Sequence, residues 1–270
     1  MLSIIILNWN TATATLACLQ SLHEPQSLES LEVIVVDNAS TDGSVKAIRE
    51  SWPQVQVIAN LENAGYARGN NHGLRVAGGR YAVLLNSDTL VRPAMLTRLA
   101  TFMDSHPEAG AVGPRLLTRD GTPQAFAFGN DPTPGYLLRR AFTRLVLRRP
   151  LHDWATNTTQ EVDWVSGACI LLRRSALEQV GLLDESFFMY FEDNDLCLRL
   201  RRKGWRVYYY PAAVITHVGG ESLKHNPRAQ AAYATSLEYF YAKHYGRLAQ
   251  WWLVACLPVY QRLAILHALL

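Results

Sequence analysis

The segment YAVLLNSD, residues 81–88, is an unbroken apolar run that ends in the polar triplet Asn-Ser-Asp. Buried strands of parallel α/β sheets have this composition, and ligands collect in the crevice beyond their carboxyl ends. Two other apolar runs, in EVIVVDNAS and FFMYFEDND, also end next to a carboxylate, at Asp37 and Asp193. We therefore predict that Asp37, Asp88 and Asp193 follow three strands and face one cleft, which would hold a nucleotide diphosphate and a metal ion.

Around these segments, strand-like and helix-like runs alternate along the chain. SIIILNW, LEVIVVDN and QVQVIAN read as strands, and TLACLQSLHE and SVKAIRESW read as the helices between them. Later strands are predicted in AGAVGPRLL, WVSGACILLRR and WRVYYYPAAVITHV. This alternation predicts the α/β class, with a Rossmann-like, mainly parallel central sheet flanked by helices.

Composition excludes several classes of protein. A chain of 270 residues with 49% hydrophobic content can bury one large core, with or without an appendage, and is not expected to be disordered. The cysteines are scattered, form no CxxC pair and lie in apolar surroundings: Cys18, Cys169, Cys197 and Cys256. They favour reduced core thiols of a cytosolic protein over a disulfide framework. MLSIIILNWN lacks the features of a signal peptide, so we interpret it as the first strand.

Positive charge is concentrated in the segment YLLRRAFTRLVLRRP, although the net charge is only +3. Its arginines are Arg139, Arg140, Arg144, Arg148 and Arg149. Apolar residues between them would give a basic amphipathic segment. Such a segment can rest on anionic headgroups, face an acidic partner or form a solvated helix face.

The C-terminal stretch LAQWWLVACLPVYQRLAILHALL is nearly long enough to span a bilayer, but Gln250, Pro258 and Arg262 interrupt it. An interfacial or subunit-packing helix, a core helix and a membrane span are the three alternatives. The pair Trp251 and Trp252 favours the interfacial helix.

Polar residues after the second predicted strand form VVDNASTDGS. Asp37 is placed to read a base edge or a ribose, whereas Asp42 fits a helix cap. The next polar stretch, NAGYARGNNHG, spells neither GxGxxG nor GxxxxGK[ST], which argues against dinucleotide and P-loop sites. Its glycines would permit close backbone approach to a ligand. Arg68 would either offset a diphosphate charge or lie on the surface.

Asp88 is well placed to share a divalent cation with substrate phosphates, because Mg²⁺ is usually held by one or two carboxylates plus phosphate oxygens. His217, at the end of AVITH, is either a further ligand from another strand or a structural histidine.

Three carboxylates, Glu192, Asp193 and Asp195, precede a helix whose far end is basic. Part of this pattern complements the helix macrodipole, but three carboxylates exceed what capping requires. A base that deprotonates a hydroxyl must project into the cleft. We predict that Asp193 is this base and that Asp195 is the structural cap.

In combination, these motifs resemble the family 2 inverting glycosyltransferases of the GT-A fold. The resemblance rests on SIIILNWN, VVDNASTDGS, NAGYARGNNHG, LLNSD, WVSGACILLRR and FFMYFEDNDLCLRLRRKGW, with the later His217. It extends from about Ser3 to Gly246. Within the family, the chain is most similar to the rhamnosyltransferase-like branch, which builds cell-wall and surface polysaccharides.

The resemblance implies roles for individual residues. Asp193 would be the catalytic base, with Glu192 beside it, and Trp164 and Gly167 would lie near the acceptor. Asp88 and His217 would hold Mg²⁺ or Mn²⁺; because Asn86 replaces the first aspartate of the DxD-like motif, the strength of metal binding and the metal requirement stay open. The implied nucleotide-sugar site consists of Asn8, Asn10, Asp37, Asn63, Gly65, Arg68, Asn70, Asn86 and Asp88.

It also implies an organisation and a reaction. Residues 1–228 would form the GT-A domain, with a nucleotide-sugar-binding half at 1–120 and an acceptor and catalytic half at 121–228. Within the second half, 121–162 would be a mobile loop or an acceptor-facing insertion. Residues 229–270 would be a C-terminal helical, membrane-associating appendage. Asp193 would deprotonate an acceptor hydroxyl as it displaces the nucleotide diphosphate in a single inverting step.

The expected reaction transfers L-rhamnose from dTDP-rhamnose to a glycan or lipid-linked acceptor. It would take place in the cytoplasm at the inner face of the cell membrane, with a homo-oligomer as one option and no nucleic-acid partner. The alternatives are a UDP-hexose-specific transferase and a non-catalytic nucleotide-sugar-binding scaffold of a membrane assembly. A nucleotidyltransferase is disfavoured because no glycine- and arginine-rich loop follows the first strand.

Overall fold

The computed structural model describes residues 1–23, 31–219 and 227–256. Within these ranges one nine-stranded sheet forms the centre of the molecule, in the order β3-β2-β1-β4-β10-β6-β11-β5, with β8 paired to β11. A separate two-stranded antiparallel sheet consists of β7 and β9. The strands are β1 (Leu2–Asn8), β2 (Leu31–Asp37), β3 (Gln56–Ala59), β4 (Tyr81–Asn86), β5 (Thr89–Leu90), β6 (Ala109–Leu117), β7 (Phe128–Gly129), β8 (Gln160–Glu161), β9 (Trp164–Val165), β10 (Cys169–Arg173) and β11 (Arg206–His217).

Helices flank this sheet. They are α1 (Ala12–Leu22), α2 (Ser44–Ser51), α3 (Gly65–Val76), α4 (Pro93–Ser105), α5 (Pro134–Leu145), α6 (Arg174–Val180), α7 (Glu192–Arg202) and α8 (Pro227–His244). As predicted, Asp42 caps a helix start: its carboxylate accepts the backbone N–H of Ser44 at 3.0 Å, and also that of Ala12 at 2.9 Å. It therefore satisfies free N–H groups at the beginnings of both α1 and α2.

The predicted mainly parallel sheet is confirmed. β1 runs parallel to β2 and β4, and β6 runs parallel to β11. β10 is antiparallel to both β4 and β6. Ile5 on β1, Ile34 on β2 and Leu84 on β4 are almost fully buried. Burial on both faces explains why these strands are unbroken apolar runs.

The register brings distant polar residues to one edge of the sheet. Asn8 pairs with Asp37, and Leu7 pairs with Asn86. On the other side, the short β5 pairs antiparallel with the end of β11, with Thr89 opposite His217. The residue before Thr89 is Asp88, so this pairing places the ends of β4 and β11 side by side.

The glycine- and asparagine-rich stretch forms most of α3, and its glycines serve packing between helix and sheet. A Cβ added to Gly69 would lie 2.5 Å from a methyl of Leu7, and one added to Gly73 would lie 2.5 Å from Ile5. Gly65, at φ +81°, approaches the backbone of Phe188 in the same way. The groups that Gly69 and Gly73 approach thus belong to the protein, and close approach of a ligand to this stretch stays a prediction.

FFMYF is not a strand, contrary to the prediction. Residues 187–191 form a bent loop in which Tyr190 and Phe191 have positive φ angles of 70° and 66°. Phe187 and Phe191 are buried in the core, and Phe191 packs against Phe240 of α8. The run is apolar because its side chains anchor the loop between helices rather than because it joins the sheet.

Residues 121–162 contain α5, β7 and β8, so the expected loop is in fact a partly helical insertion. In the C-terminal part, Phe240 and Tyr241 of α8 are fully buried, and residues 246–256 continue as helix with Trp251 69% exposed. Among the described residues, no helix is long and apolar enough to cross a membrane. The remainder of the predicted interfacial stretch, 257–270, lies outside the described residues.

Candidate active site

A cavity of about 440 Å³ lies beyond the carboxyl ends of β1 and β4. Its wall includes side chains from the ends of three elements: Asp88 after β4, His217 at the end of β11 and Asp193 at the start of α7. The predicted site residues that line it are Asn63, Gly65, Asn86, Asp88, Trp164, Gly167, Glu192, Asp193 and His217. Donor-side, metal and base candidates therefore share one cavity.

The remaining predicted nucleotide-site residues lie behind this wall or beside it. Asp37 is 1% exposed, and its carboxylate accepts from Asn8 Nδ2 at 2.5 Å and from the Ser40 N–H at 2.9 Å. Asn10 accepts from the Thr41 N–H at 2.7 Å. The neighbour of Asp37, Asn38, is the residue of this turn that lines the cavity.

Arg68 and Asn70 also point elsewhere. Arg68 lies on the surface and forms ion pairs with Glu62 at 3.3 Å and Glu185 at 3.8 Å. Asn70 is fully buried, and its side-chain amide donates to the backbone oxygen of Tyr66 at 3.0 Å. In this structure the Arg68 charge is balanced by carboxylates of the protein, so of its two predicted roles the surface residue matches the geometry.

His217 is oriented by Gln124. The His217 Nδ1 lies 2.9 Å from Gln124 Oε1, and its Nε2 lies 3.2 Å from both Asp88 Oδ1 and Asn86 Nδ2. The contact with Gln124 holds the ring so that Nε2 faces the Asp88 carboxylate.

The Asp88 carboxylate and His217 Nε2 meet at the cavity wall, which suits a divalent cation. One oxygen and one nitrogen ligand fit a first-row transition ion better than Mg²⁺, which prefers oxygen. Within the described ranges no group of three or more His, Cys, Asp or Glu residues could hold a metal. Substrate phosphate oxygens and water are the usual further ligands of such an ion.

Glu192 and Asp193 both line the cavity, and Asp193 is the more exposed of the two. It is half-buried, whereas Glu192 is 5% exposed and Asp195 is fully buried. Its Oδ2 accepts the Gly167 N–H at 2.9 Å and its Oδ1 accepts its neighbour's N–H, from Asn194, at 2.8 Å. Burial raises the pKa of Asp193, while these backbone donors favour the ionised form and limit the rise.

Glu192 lies in a different environment. Burial, and then the charge of the adjacent Asp193, raise the pKa of Glu192 well above its ordinary value. Its Oε2 is buried, and the described structure provides no hydrogen-bond partner for it. The environments of the pair therefore favour the proton on Glu192 and the negative charge on Asp193. Environments that separate two neighbouring acids in this way are typical of a site that uses one of them as a base.

Asp195 is not a helix cap, which corrects the prediction. It accepts hydrogen bonds from Arg199 Nε and His244 Nε2, both at 2.7 Å, and forms an ion pair with Lys243. Burial opposes ionisation of Asp195, but the bonds from His244 and Lys243 and the charge of Arg199 outweigh it, so its pKa is lowered. Through these hydrogen bonds and this ion pair, Asp195 of α7 binds α8.

Sequence reasoning missed several residues of this cavity. Tyr66 donates from its hydroxyl to the Gly167 carbonyl at 2.6 Å, and burial raises its pKa well above the ordinary value. Its only signal was an aromatic residue inside a glycine-rich stretch. An aromatic and basic wall from the 121–162 insertion was also missed, and its cavity-lining members include Phe126, Tyr136 and Arg140. Aromatic faces suit the apolar faces of a sugar ring.

Known proteins are similar to this chain in sequence and in fold. A solved mannosyltransferase, PcManGT from Pyrobaculum calidifontis in complex with GDP-Man and Mn²⁺, superposes with a TM-score of 0.60 at 21% identity over 90% of this chain and 63% of that chain. S. aureus TarS 1-349 in complex with UDP-GlcNAc gives 0.59 at 18% identity, over 88% of this chain and 64% of that one. The chain thus spans less than two thirds of these solved chains, and at such identities they establish the fold alone.

Sequence comparison goes further. The N-acetylglucosaminyl-diphospho-decaprenol L-rhamnosyltransferase of Mycobacterium tuberculosis (strain CDC 1551 / Oshkosh) is 31% identical over 243 residues, 82% of this chain and 77% of the relative. The family model described as "Glycosyltransferase like family 2" matches residues 2–234, which include all of the cavity's metal and acid candidates. The chain with the Asp193 base candidate and the Asp88–His217 pair belongs to glycosyltransferase family 2 and has the GT-A fold.

Proposed function

We propose that this glycosyltransferase moves L-rhamnose from dTDP-rhamnose to a hydroxyl group of a lipid-diphosphate-linked saccharide, with inversion at the anomeric carbon. The observation that carries the proposal is the separation of the acidic pair. Asp193 is partly exposed to the cavity and accepts two backbone N–H groups, which favour its ionised form, while Glu192 is buried and its Oε2 has no hydrogen-bond partner in the described structure. A single exposed base suits a single displacement.

In the proposed step, Asp193 accepts the proton of the acceptor hydroxyl as that oxygen attacks the anomeric carbon. The new C–O bond forms on one face of the sugar while the bond to the nucleotide diphosphate breaks on the other. The electron pair of the broken bond leaves with the diphosphate oxygen. Because the reaction is a single displacement, the anomeric configuration inverts and no covalent intermediate with the protein is formed.

Asp88 and His217 would hold the divalent cation. Gln124 contacts Nδ1 of the imidazole and orients the ring, and Asn86 lies beside Nε2. When bound, the cation supplies Lewis-acid stabilisation of the negative charge on the leaving diphosphate. The chain's own residues then perform the remaining tasks: they place the donor against Asn63 and Gly65 and exclude water with the aromatic wall.

Both halves of the proposed domain contribute to the cavity, which supports the division at about residue 120. Asn38 and Asp88 come from the first half, and Phe126 and Asp193 come from the second. The donor would occupy the side formed by residues 1–120, and the acceptor would enter from the side formed by 121–228.

The rhamnose donor and the acceptor are supported by the relative from M. tuberculosis, whose name includes both a rhamnosyl group and a diphospho-decaprenol acceptor. A lipid-linked acceptor would place the reaction at a membrane face. The second candidate, a UDP-hexose donor, has the support of the common fold with a chain that holds UDP-GlcNAc. A non-catalytic scaffold has less support, since it would not need an ionised aspartate in the cavity.

The test combines donor identity with removal of the base. Purified full-length protein is incubated with Mn²⁺, an N-acetylglucosaminyl diphosphate lipid and dTDP-rhamnose, UDP-glucose or GDP-mannose. We expect transfer from dTDP-rhamnose, an inverted product by NMR of the anomeric proton, and a loss of about 10²–10⁴-fold in Asp193→Asn. Asp104→Asn, an equal change on α4, is the control that should keep full activity. Full turnover by Asp193→Asn, or a retained anomeric configuration, would contradict the mechanism, and transfer from another donor would replace rhamnose.

A further inference from the structure

A second cavity, of about 510 Å³, lies beside the first. Arg140, Phe126 and Tyr136 line both cavities, so the two share a wall. The second cavity is bounded by α5 and by the segment 148–154 that follows it. Asp193, the proposed base, does not line it.

Four arginines line this second cavity: Arg140, Arg144, Arg148 and Arg149. No aspartate or glutamate of the described chain lines it. Guanidinium groups gathered around one cavity repel one another unless an anion joins them, and Arg is the residue that best matches phosphate oxygens through paired N–H donors. The cavity therefore has the charge and the donor geometry of a site for a multiply charged phosphate group.

Neutral polar and aromatic groups complete the wall. His152 Nε2 lies 3.0 Å from the Tyr136 hydroxyl, and Arg140 stacks over Phe126 with 4.9 Å between the guanidinium carbon and the ring centroid. Burial, and then the charges of Arg139 and Arg140, lower the pKa of His152. The positive charge of the cavity is thus carried by arginines, which stay charged at every pH at which the protein folds.

Exposed apolar side chains also lie on α5 and just beyond its end. Leu138, Phe142, Val146 and Leu147 are 60%, 55%, 60% and 44% exposed, respectively. Leu138 and Phe142 are two residues from Arg140 and Arg144 along the helix and therefore lie on its other face. The large apolar side chains that do line the cavity are Phe126, Leu151 and Trp154.

We propose that the second cavity binds the diphosphate of the lipid-linked acceptor. The inference rests on the proposed function, because it names the subsite for that acceptor. The shared wall of Phe126, Tyr136 and Arg140 then accounts for the path of the saccharide: it extends from the arginines into the first cavity, where its hydroxyl meets Asp193.

The binding test needs no turnover. Geranyl diphosphate, a short prenyl diphosphate, is titrated into the full-length protein by calorimetry, with EDTA present so that a cation-dependent donor site does not bind it. Arg148→Gln and Arg149→Gln each remove one charged donor from the cavity. We expect each to weaken binding about tenfold. Arg139→Gln removes the same charge from α5 at a residue that does not line the cavity, and should weaken binding less than about twofold.

Equal losses in Arg139→Gln and Arg148→Gln would show attraction by surface charge alone and overturn the proposal. No loss in either cavity variant would overturn it as well. A second arm separates the two sources of phosphate. Vesicles of phosphatidylglycerol should not displace geranyl diphosphate at the same ionic strength; displacement by them, with the same dependence on Arg148, would reassign the cavity to bilayer headgroups.

Turnover then distinguishes this inference from the function beneath it. With the full acceptor, Arg148→Gln should raise the acceptor KM about tenfold while the donor KM stays unchanged. Failure of transfer by the unaltered protein with every donor would overturn the proposed function, whereas the binding result on geranyl diphosphate would be unaffected. Normal acceptor KM in Arg148→Gln, in an active enzyme, would overturn the subsite alone.

Discussion

The backbone N–H of Gly167 donates to Asp193 Oδ2 at 2.9 Å, and the Gly167 carbonyl accepts from the Tyr66 hydroxyl at 2.6 Å. One peptide segment thus links a buried tyrosine of α3 to the carboxylate that we propose as the base. The link fixes the orientation of Asp193 while leaving the carboxylate open to the cavity. Hydrogen bonds that hold a reacting group in place reduce the cost of orienting it during the reaction.

Removal of the Tyr66 hydroxyl should therefore slow the reaction without affecting the donor. In Tyr66→Phe the buried Gly167 carbonyl loses its donor, which costs about 1–3 kcal/mol. We expect a fall in kcat of about tenfold with an unchanged donor KM, measured by steady-state kinetics. Tyr81→Phe is the control, since its hydroxyl binds Asp104 at 2.7 Å on α4. Equal effects of the two changes would contradict a positioning role for Tyr66.

The pH dependence of the reaction should reflect the acidic pair. Asp193 must be ionised, and burial raises its pKa above the ordinary 3.8, so kcat/KM should fall as the pH falls through that raised pKa. Burial raises the pKa of Glu192 well above its ordinary value, so Glu192→Gln preserves the shape of the side chain and the neutral form that burial favours. We expect it to keep most of the activity across the pH profile. A loss as large as that of Asp193→Asn would assign the base to Glu192.

Donor binding should depend on the cation through Asp88 and His217. The melting temperature with dTDP and Mn²⁺, compared with dTDP and EDTA, measures this dependence, because a ligand that binds the folded state raises Tm. Asp88→Asn and His217→Gln should each abolish the cation-dependent part of the shift. His72→Gln is the control, since His72 pairs with Asn60 at 2.7 Å outside the cavity wall. A full shift in both site variants would exclude these ligands.

Two glycines allow a test of the contact between α3 and the loop before α7. Gly65 and Gly43 have nearly the same φ, +81° and +82°, but a Cβ on Gly65 would lie 2.5 Å from the Phe188 carbonyl, and one on Gly43 would meet nothing within 4 Å. Gly43→Ala should cost about 1–2 kcal/mol of unfolding free energy from its backbone angle. Gly65→Ala should cost more by urea denaturation and also lower activity. Equal costs would mean that the loop moves freely.

Asp195 should matter for stability rather than for chemistry. Asp195→Asn leaves Arg199, Lys243 and His244 around a neutral group, and we expect a loss of about 3 kcal/mol in unfolding free energy. Asp104→Asn, whose partner Arg80 is largely exposed, should cost less than about 1 kcal/mol. Urea denaturation followed by circular dichroism measures both.

The same carboxylate predicts the acid sensitivity of the fold. The pKa of Asp195 is lowered in the folded state, so its stabilisation is fully present above the ordinary 3.8 and is lost as the pH falls through the lowered pKa. Unfolding free energy should therefore fall less steeply with acid in Asp195→Asn than in the unaltered protein. A parallel decline in the two proteins would mean that other carboxylates determine acid unfolding.

Local patterns in the sequence were enough for the class of fold and for the acidic centre. The unbroken apolar runs of β1, β2 and β4 predicted a mainly parallel sheet, because burial on both faces leaves no polar position along a strand. Asp88 was predicted as a ligand and Asp193 as a base from their places at the ends of apolar runs. For Asp193 the prediction assumed that FFMYF is a strand, whereas a loop at 187–191 brings Asp193, at the start of α7, to the cavity.

Tertiary structure alone decided which side chains meet. His217 faces Asp88 because β5 pairs with the end of β11, and Asp195 binds Lys243 and His244 because α8 packs on α7. Asp37 looked like a cavity residue but points into a network with Asn8. The composition of each segment predicts how much of that segment is buried, and composition is a local property. The partner of a polar side chain depends on the register and packing of segments far apart in the chain, and these exist only after folding.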